Sequence, residues 1–175
     1  MPASIPRWAA LTLAPLVWLV GVPLGHVVTP WAISRLGPRY GWHHGSPASW
    51  NSLGLLSVAT GAAVLVWLMV VGLADAARVP ERVPLDWSPK VLVTRGPYEF
   101  SRHPMYLAEL ALWFGWALFY GSLSVLAGFG VFAILVSRLG PIEERALEAR
   151  FGEQYRVYAN DVPRWLRIRS RSSGV

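Results

Sequence analysis

Residues 94–106 read TRGPYEFSRHPMY and stand directly before a long apolar run. Gly96-Pro97 is a turn dipeptide, and Pro104, which has no amide hydrogen and a fixed φ, suits the first turn of a helix. The same proline disfavours helical backbone at the residue before it, so we expect His103 at the helix cap. The stretch therefore predicts polar chemistry at the start of a membrane helix.

Two apolar segments follow, at residues 105–120 and 123–139, and they predict a helical hairpin in the membrane. Each would rise about 25 Å, close to the thickness of a bilayer core. A second polar pair, Glu143 and Glu144, comes after the hairpin, 144 − 103 = 41 residues beyond His103. Because the second helix returns, we expect the two acids to face the Arg-His pair at the same membrane face.

The composition indicates an integral membrane protein. Hydrophobic residues make up 54% of the 175 residues and charged residues only 15%, which is too apolar for an ordinary soluble domain. The absence of cysteine excludes disulfides, thiolate metal sites and a cysteine nucleophile. Eight of the sixteen cations, counting Arg138, lie at or beyond the end of the last apolar run, and basic flanks of membrane helices explain them better than nucleic-acid binding. We therefore expect membrane lipids, and no nucleic acid, as partners.

Two further apolar spans are predicted upstream, at residues 8–28 and 53–74. Pro15 and Pro23, without a convincing small-residue cleavage site, favour a retained and kinked membrane helix over a secretory signal. From the N-terminus onward, the five segments outside the four spans carry 1, 2, 5, 0 and 8 cations, where Arg138, at the end of the fourth span, is counted with the last segment. This asymmetry predicts that both termini and the long loop lie in the cytosol. We expect a multi-pass protein of the inner membrane of a bacterium.

Two loops separate the predicted spans. Residues 29–51 are polar and aromatic, and their His43-His44 pair has no nearby carboxylate or cysteine to complete a metal site. A solvated loop is the better interpretation, and no metal is expected. Residues 75–102 contain four prolines, which argue against a regular helix. Something else must hold this loop, and a bound ligand is one candidate.

Glu109 lies inside the third predicted span, about a turn and a half after its start. An acid in the membrane costs about 2.5 kcal/mol or more at the centre, so it normally faces protein or water and often serves a function. The shallow position also allows the side chain to reach the interface. Both interpretations stay open from the sequence.

An amphipathic helix is predicted at residues 141–159, where Leu147, Phe151, Tyr155 and Tyr158 recur at steps of 4, 4 and 3. A proline at its first position and two glutamates in its first turn suit a helix N-terminus. Those glutamates are either partners of the helix dipole or, through the hairpin, ligands beside the Arg-His pair. The predicted fold class is thus all-α: a membrane helical bundle with about four transmembrane helices and a C-terminal amphipathic cytosolic helix.

We expect a single domain over residues 1–175. Residues 1–89 would form two N-terminal spans and a cytosolic loop, residues 90–165 a core with the helical hairpin, and residues 166–175 a basic tail. A rival interpretation from another class is a small membrane transporter or a non-catalytic structural membrane protein that uses Glu109. That alternative leaves unexplained the prolines, the aromatics and the RHP sequence of the long loop, and the acidic pair opposite them.

The run LVTRGPYEFSRHPMY, followed by a membrane hairpin and EERALEARFGEQYRVYANDVPRW, resembles the integral-membrane methyltransferases. That family includes isoprenylcysteine carboxyl methyltransferase and the phospholipid N-methyltransferases, and the resemblance covers residues 90–165. It implies that S-adenosylmethionine, the methyl donor, binds on the cytosolic side between the RHP and EE segments and leaves as S-adenosylhomocysteine. The implied cofactor-binding residues are Lys90, Val91, Leu92, Val93, Tyr98, His103, Pro104, Met105, Tyr106, Glu143 and Glu144.

The chain departs from its relatives at two places. It has Ala108 and Glu109 where many phospholipid-methylating relatives have glycine, and the acceptor-binding arginine of the isoprenylcysteine enzymes aligns with Leu139, next to Arg138. The acceptor therefore does not follow from the resemblance beyond a lipophilic small molecule or a lipid. Candidate catalytic residues are Arg102, Glu109 and Arg138.

The side-chain chemistry of the polar stretch suits such a donor. Arg102 or His103 could donate hydrogen bonds to its carboxylate, and Glu143 could accept them from its ammonium or its ribose hydroxyls. Methyl transfer needs an in-line approach of the two reactants more than acid–base chemistry. A cleft at the membrane surface would admit an apolar acceptor from the lipid and the polar donor from the cytosol.

Overall fold

The computed structural model describes residues 4–75, 78, 81–84 and 91–166, most of which are helical. The elements in chain order are β1 (Ser4–Pro6), α1 (Arg7–Pro23), a π-helical turn (Leu24–Val28), α2 (Thr29–Ile33), β2 (Trp42–His43), β3 (Ser46–Pro47), α3 (Ser49–Ala74), β4 (Arg82–Pro84), a 3₁₀ helix (Gly96–Glu99), α4 (Pro104–Tyr120), α5 (Leu123–Phe151) and α6 (Glu153–Asp161). The predicted helical class is confirmed, and most of the predicted basic tail lies outside the described residues.

Three helical segments in the described part of the chain are long and apolar enough to cross a membrane: Arg7–Ile33, Ser49–Ala74 and Leu123–Phe151. α4 has 17 residues. A helix of that length spans about 25 Å, which is the lower end of what a bilayer core requires. The membrane character of the protein is thus supported, and the count of four spans stays a prediction.

α3 and α4 pack closely through small residues. A Cβ atom at Gly115 would lie 2.6 Å from the carbonyl oxygen of Gly54, and one at Gly61 would lie 2.6 Å from that of Ala108. The antiparallel pair therefore brings the N-terminal half of α4, where the polar stretch ends, level with the middle and C-terminal half of α3.

Gly54→Ala is expected to destabilise the protein by about 1 to 3 kcal/mol, the usual cost of overpacking. The added methyl group would overlap the carbonyl oxygen of Gly115, which belongs to the backbone and cannot turn aside. Gly72→Ala on the same helix is the matched control, because a Cβ there meets nothing within 4 Å. Thermal unfolding in detergent measures both, and equal transition temperatures for the two variants would contradict the packing argument.

The predicted bounds of the C-terminal helix are wrong. Pro141 lies inside α5, which continues to Phe151, and the chain breaks helix only at Gly152, where φ is +56°. The proline removes one helical hydrogen bond, but packing of the face formed by Val136, Gly140 and Glu144, all buried, keeps the helix in one piece. The two glutamates therefore stand in a helix interior, and their predicted role at a helix N-terminus is wrong.

Short strands and turns tie the helices together at two opposite ends of the bundle. At one end β1 pairs antiparallel with β4, with Ser4 opposite Pro84, so the N-terminal segment lies beside the long loop. At the other end the buried side chain of Asn51 donates to the carbonyl oxygens of Tyr40 and Leu118 at 3.1 Å each. The loop before α3 is thus fastened to the tip of the α4–α5 hairpin.

Candidate functional site

The segment before α4 fixes the position of His103. Gly96, with φ of +66°, starts the 3₁₀ helix against α3, where a Cβ would lie 2.9 Å from a methyl carbon of Val71. The buried hydroxyl of Ser101 accepts a hydrogen bond from the backbone N–H of His103 at 3.1 Å and donates one to the carbonyl oxygen of Arg164 at 3.0 Å. His103 occupies the N-cap of α4, which confirms its predicted place at the cap.

Both nitrogens of the His103 ring face glutamate carboxylates from α5. Nε2 lies 3.0 Å from Oε1 of Glu144, and Nδ1 lies 3.4 Å from Oε2 of Glu143. The residue is only 4% exposed, and Gly140 leaves room for the ring, since a Cβ there would lie 3.4 Å from Nε2. The hairpin therefore brings the acidic pair to the RHP segment, as the 41-residue spacing predicts.

Three side chains converge on the carboxylate of Glu144. Besides His103, Arg102 donates from Nη1 at 3.2 Å, and Arg164 donates from Nε and Nη2 to the two oxygens at 2.8 Å each. The bond to Glu144 raises the pKa of the Arg164 guanidinium, so this partner stays charged. Glu144 is 8% exposed, and such a buried carboxylate requires this compensation. The carboxylate of Glu144 therefore holds Arg102 and His103 in place.

The sequence prediction missed Arg164, which was counted only among the basic residues of the tail. Pro163 accepts a hydrogen bond at its carbonyl oxygen from the N–H of Arg102 at 3.0 Å, and the Trp165 ring lies 5.7 Å from that of His103. We call residues 162–165 the C-terminal segment. The available signal was the VPRW sequence at the end of the second motif, but nothing in that local pattern assigns Arg164 a partner.

α6 fastens the C-terminal segment to the loop before α4. Tyr155, Tyr158 and Val162 form a buried cluster against which Leu92 and Tyr98 pack. Burial raises the pKa of the Tyr158 phenol, so the hydroxyl stays protonated and donates to the carbonyl oxygen of Tyr98 at 2.9 Å. The contact joins a residue predicted to bind the cofactor to an element 60 residues further along the chain.

Tyr106 connects the His103 ring to Glu143. Its ring stacks on that of His103 with centroids 5.3 Å apart and an interplanar angle of 7°, and its hydroxyl donates to Oε2 of Glu143 at 3.1 Å. The Glu143 side chain is 43% exposed, and its Oε1 accepts no hydrogen bond from the described residues. One carboxylate oxygen of Glu143 thus remains available to a ligand.

Other residues predicted to bind the cofactor lie around an apolar cleft. We call it the Tyr98 cleft; it has a volume of about 280 Å³ and is lined by residues that include Leu11, Trp18, Met69, Val93, Tyr98 and Met105. Pro104 is buried at the start of α4, and Val91 is half-buried. Lys90 lies outside the described residues. The structure therefore gathers Val93, Tyr98 and Met105 beside the bundle helices α1 and α3.

The three candidate catalytic residues lie apart. Arg102 belongs to the cluster around Glu144, whereas Glu109 lies deeper on α4, 3.7 Å from Nε2 of His26. Arg138 is exposed on α5, two residues from both Val136 and Gly140, and so points away from the buried face. The described residues contain no group of three or more His, Cys, Asp and Glu side chains that could hold a metal.

A polar cleft of about 570 Å³ opens beside this cluster, lined by residues that include Arg102, Glu144, Arg145, Tyr155, Arg156 and Arg164. Nε of Arg102 and the hydroxyl of Tyr155 are buried without a hydrogen-bond partner among the described residues. Buried donors of this kind are rare in proteins unless a ligand or water completes them. The cleft and the free oxygen of Glu143 are therefore the polar features that suit a charged small molecule.

Comparison with known proteins finds a relative and a family profile that match the chain. An uncharacterized protein of Haemophilus influenzae is 35% identical to the chain over 63 residues, which are 35% of this chain and 100% of that relative. No solved structure matches the chain. The phospholipid methyltransferase family profile matches residues 50–154, which include α3 except its first residue, α4, α5, the RHP segment and both glutamates. Because this match covers more than half of the 175 residues, the chain belongs to the phospholipid methyltransferase family, a family of membrane methyltransferases.

Proposed function

We propose that the protein is an S-adenosylmethionine-dependent methyltransferase of the membrane that transfers a methyl group to a lipophilic small molecule or a lipid. The observation that carries the proposal is the position of His103 between Glu143 and Glu144, within the part of the chain that matches the methyltransferase family. The RHP and EE segments are the two motifs whose spacing predicted this contact. The roles of individual residues toward donor and acceptor are part of the proposal.

The residues of the site fit the proposed donor. S-adenosylmethionine, when bound, supplies a methyl group activated by a sulfonium, and S-adenosylhomocysteine is what remains after transfer. Glu143 has a free oxygen that can accept from an ammonium or a ribose hydroxyl, and the unpartnered Nε of Arg102 can donate to a carboxylate. The Tyr98 cleft offers an apolar surface next to these polar groups.

The protein's own contribution is to orient these groups and to keep water away from them. Glu144 holds His103 and Arg102, and Tyr106 holds Glu143 through its hydroxyl. The rings of Tyr106 and Trp165 cover the His103 ring from two directions. A site held in this way meets the main requirement of methyl transfer, which is a fixed in-line approach of the reacting atoms.

We propose that this site faces the cytosol and that both termini lie on the same side. The β1–β4 pairing puts the N-terminal segment beside the long loop, and the cluster around Glu144 puts that loop beside the C-terminal segment. The N-terminal segment, the long loop and the C-terminal segment all carry cations, which the positive-inside rule assigns to the cytosol. The polar donor would then enter from water and the acceptor from the lipid.

Binding of S-adenosylhomocysteine to the purified protein in nanodiscs tests the proposed function. We expect saturable binding by calorimetry, and weaker binding of 5′-methylthioadenosine, which lacks the ammonium and the carboxylate that Glu143 and Arg102 are proposed to hold. The comparison separates recognition of the amino-acid end from general affinity for adenosine. A folded sample that takes up neither compound would refute the donor assignment.

A further inference from the structure

A pair of ionisable side chains lies in the interior of the bundle, away from the cluster around Glu144. Nε2 of His26 is 3.7 Å from Oε1 of Glu109, and the two side chains are 13% and 14% exposed. Gly61, in the middle of the 26-residue α3, contacts the backbone at Ala108, so the pair lies at mid-height of that span. Ionisable groups at this depth are costly and usually mark a substrate or proton path.

The local helix geometry fixes which nitrogen of His26 is free. The residue lies in the π-helical turn Leu24–Val28, a form of helix that often occurs at functional sites. Pro30 has no N–H to donate to the carbonyl oxygen of His26. The N–H of Thr29 donates to the carbonyl oxygen of Leu24, five residues earlier, which is the π-helical pattern. Nδ1 of His26 lies 3.3 Å from the carbonyl oxygen of Val22, which can only accept, so Nδ1 carries the proton. In the neutral ring Nε2 is therefore an acceptor.

With Glu109 ionised, the acceptor atoms of the pair face each other, and no donor from the described residues lies between them. Nε2 is buried and has no hydrogen-bond partner among the described residues, and 3.7 Å is too long for a hydrogen bond to the carboxylate. The Phe132 ring packs edge-on against the His26 ring at 6.0 Å and supplies no donor. An O–H or N–H group that enters from outside would satisfy both acceptors.

An apolar cleft leads to His26, one member of this pair. We call it the His26 cleft; it has a volume of about 240 Å³ and is lined by residues that include Trp18, Val22, His26, Leu65, Met69 and Leu112. Trp18 and Met69 also line the Tyr98 cleft, so the two clefts adjoin between α1 and α3. On α4, Glu109 lies three residues after Tyr106 and thus on the same helix face as the group that binds Glu143.

We propose that His26 and Glu109 bind the hydroxyl or amine of the methyl acceptor, whose apolar body occupies the His26 and Tyr98 clefts. This inference rests on the proposed function. In the transfer the bond from sulfur to the methyl carbon breaks, its electron pair stays on sulfur, and a C–O or C–N bond forms. The proton of the acceptor's O–H or N–H passes to Nε2 of His26. A methyl acceptor that reacts through a carboxylate is excluded, because its oxygens would add a third hydrogen-bond acceptor to the pair and it has no proton to donate.

Photolabelling tests this recognition without requiring turnover. The probes are dodecanol, dodecylamine and dodecanoate, each with a diazirine in the alkyl chain, added to the protein in nanodiscs saturated with S-adenosylhomocysteine. We expect the alcohol or the amine, and not the carboxylate, to label residues of the His26 cleft. His26→Ala removes one of the two acceptors, and Glu109→Gln replaces the carboxylate by an amide whose N–H can donate to Nε2 of His26 and occupy it, so each should reduce that labelling about tenfold.

Ser57→Ala is the matched control, because it removes a hydrogen bond of 2.8 Å from α3 to the carbonyl oxygen of Ala111 and leaves the pair intact. It should label like the unmodified protein. Equal labelling by all three probes, or unchanged labelling in Glu109→Gln, overturns the inference. Glu109→Gln keeps the side-chain shape and decides the question if His26→Ala does not fold. Titration of S-adenosylhomocysteine into the same samples tests the proposed function separately. If the samples bind S-adenosylhomocysteine but the variants do not change the labelling, the proposed acceptor site is refuted and the proposed function is not.

Discussion

Glu144→Ala is expected to lower the free energy of unfolding by about 3 to 5 kcal/mol, the usual cost of removing one partner from a buried charge cluster. The substitution leaves Arg102 and Arg164 next to each other and to the buried His103 ring without the carboxylate that holds all three. Thermal or denaturant unfolding of the protein in detergent measures the change. We expect this to be the largest stability loss from any single carboxylate in the described residues.

Glu148→Ala provides the matched control, one turn further along α5. Its carboxylate lies 3.6 Å from Nη1 of Arg156, and both side chains are about half exposed, at 48% and 55%. Exposed pairs of this kind contribute at most about 1 kcal/mol. Similar losses of stability in the two variants would show that the cluster around Glu144 is not the stabilising element inferred here.

The second large effect concerns donor affinity. Glu143→Ala and His103→Ala are each expected to weaken the binding of S-adenosylhomocysteine about 10- to 100-fold, because a hydrogen bond to a charged group contributes about 1.5 to 3 kcal/mol. Glu143 loses the oxygen proposed to meet the ligand, and His103 loses the ring that orients Glu143. Calorimetric titration of the folded variants gives the change.

Glu109→Ala should leave this affinity nearly unchanged, because Glu109 lies with His26 on the proposed acceptor path. The contrast separates the two polar clusters of the bundle. If both Glu143→Ala and His103→Ala bind S-adenosylhomocysteine as tightly as the unmodified protein, the donor site lies elsewhere. A loss of affinity in all three variants would mean that donor and acceptor paths are not distinct.

The contact between the RHP and EE segments was predictable from the sequence because it depends on few quantities. A helix has a fixed rise per residue, so two apolar runs of similar length return the chain to its starting level. The position of His103 at the cap follows as directly from the fixed φ of Pro104. Both the return of the hairpin and the position of His103 follow from local chain geometry, which the sequence determines.

Features that depend on long-range packing were not predictable in this way. Pro141 has the local signature of a helix start, but α5 passes through it because its buried face packs against α4. Arg164 looks like one basic residue among several, and only the docking of α6 brings it to Glu144. Because α1 and the π-helical turn after it are apolar on all sides apart from His26, their sequence gives no rotation about the helix axis that would place His26 beside Glu109. The roles of the site residues in binding and catalysis stay predictions.

The C-terminal segment determines when during biosynthesis the site can become complete. Proteins are synthesised from the N-terminus, so residues 162–165 are the last part of the site to be added to the chain. Until residues 162–165 dock, Glu144 lacks its bidentate partner and the backbone N–H of Arg102 lacks its acceptor. A chain interrupted before Val162 would therefore insert its helices and still lack an ordered site. The site is therefore completed last, when the C-terminal segment docks on Glu144 and Arg102.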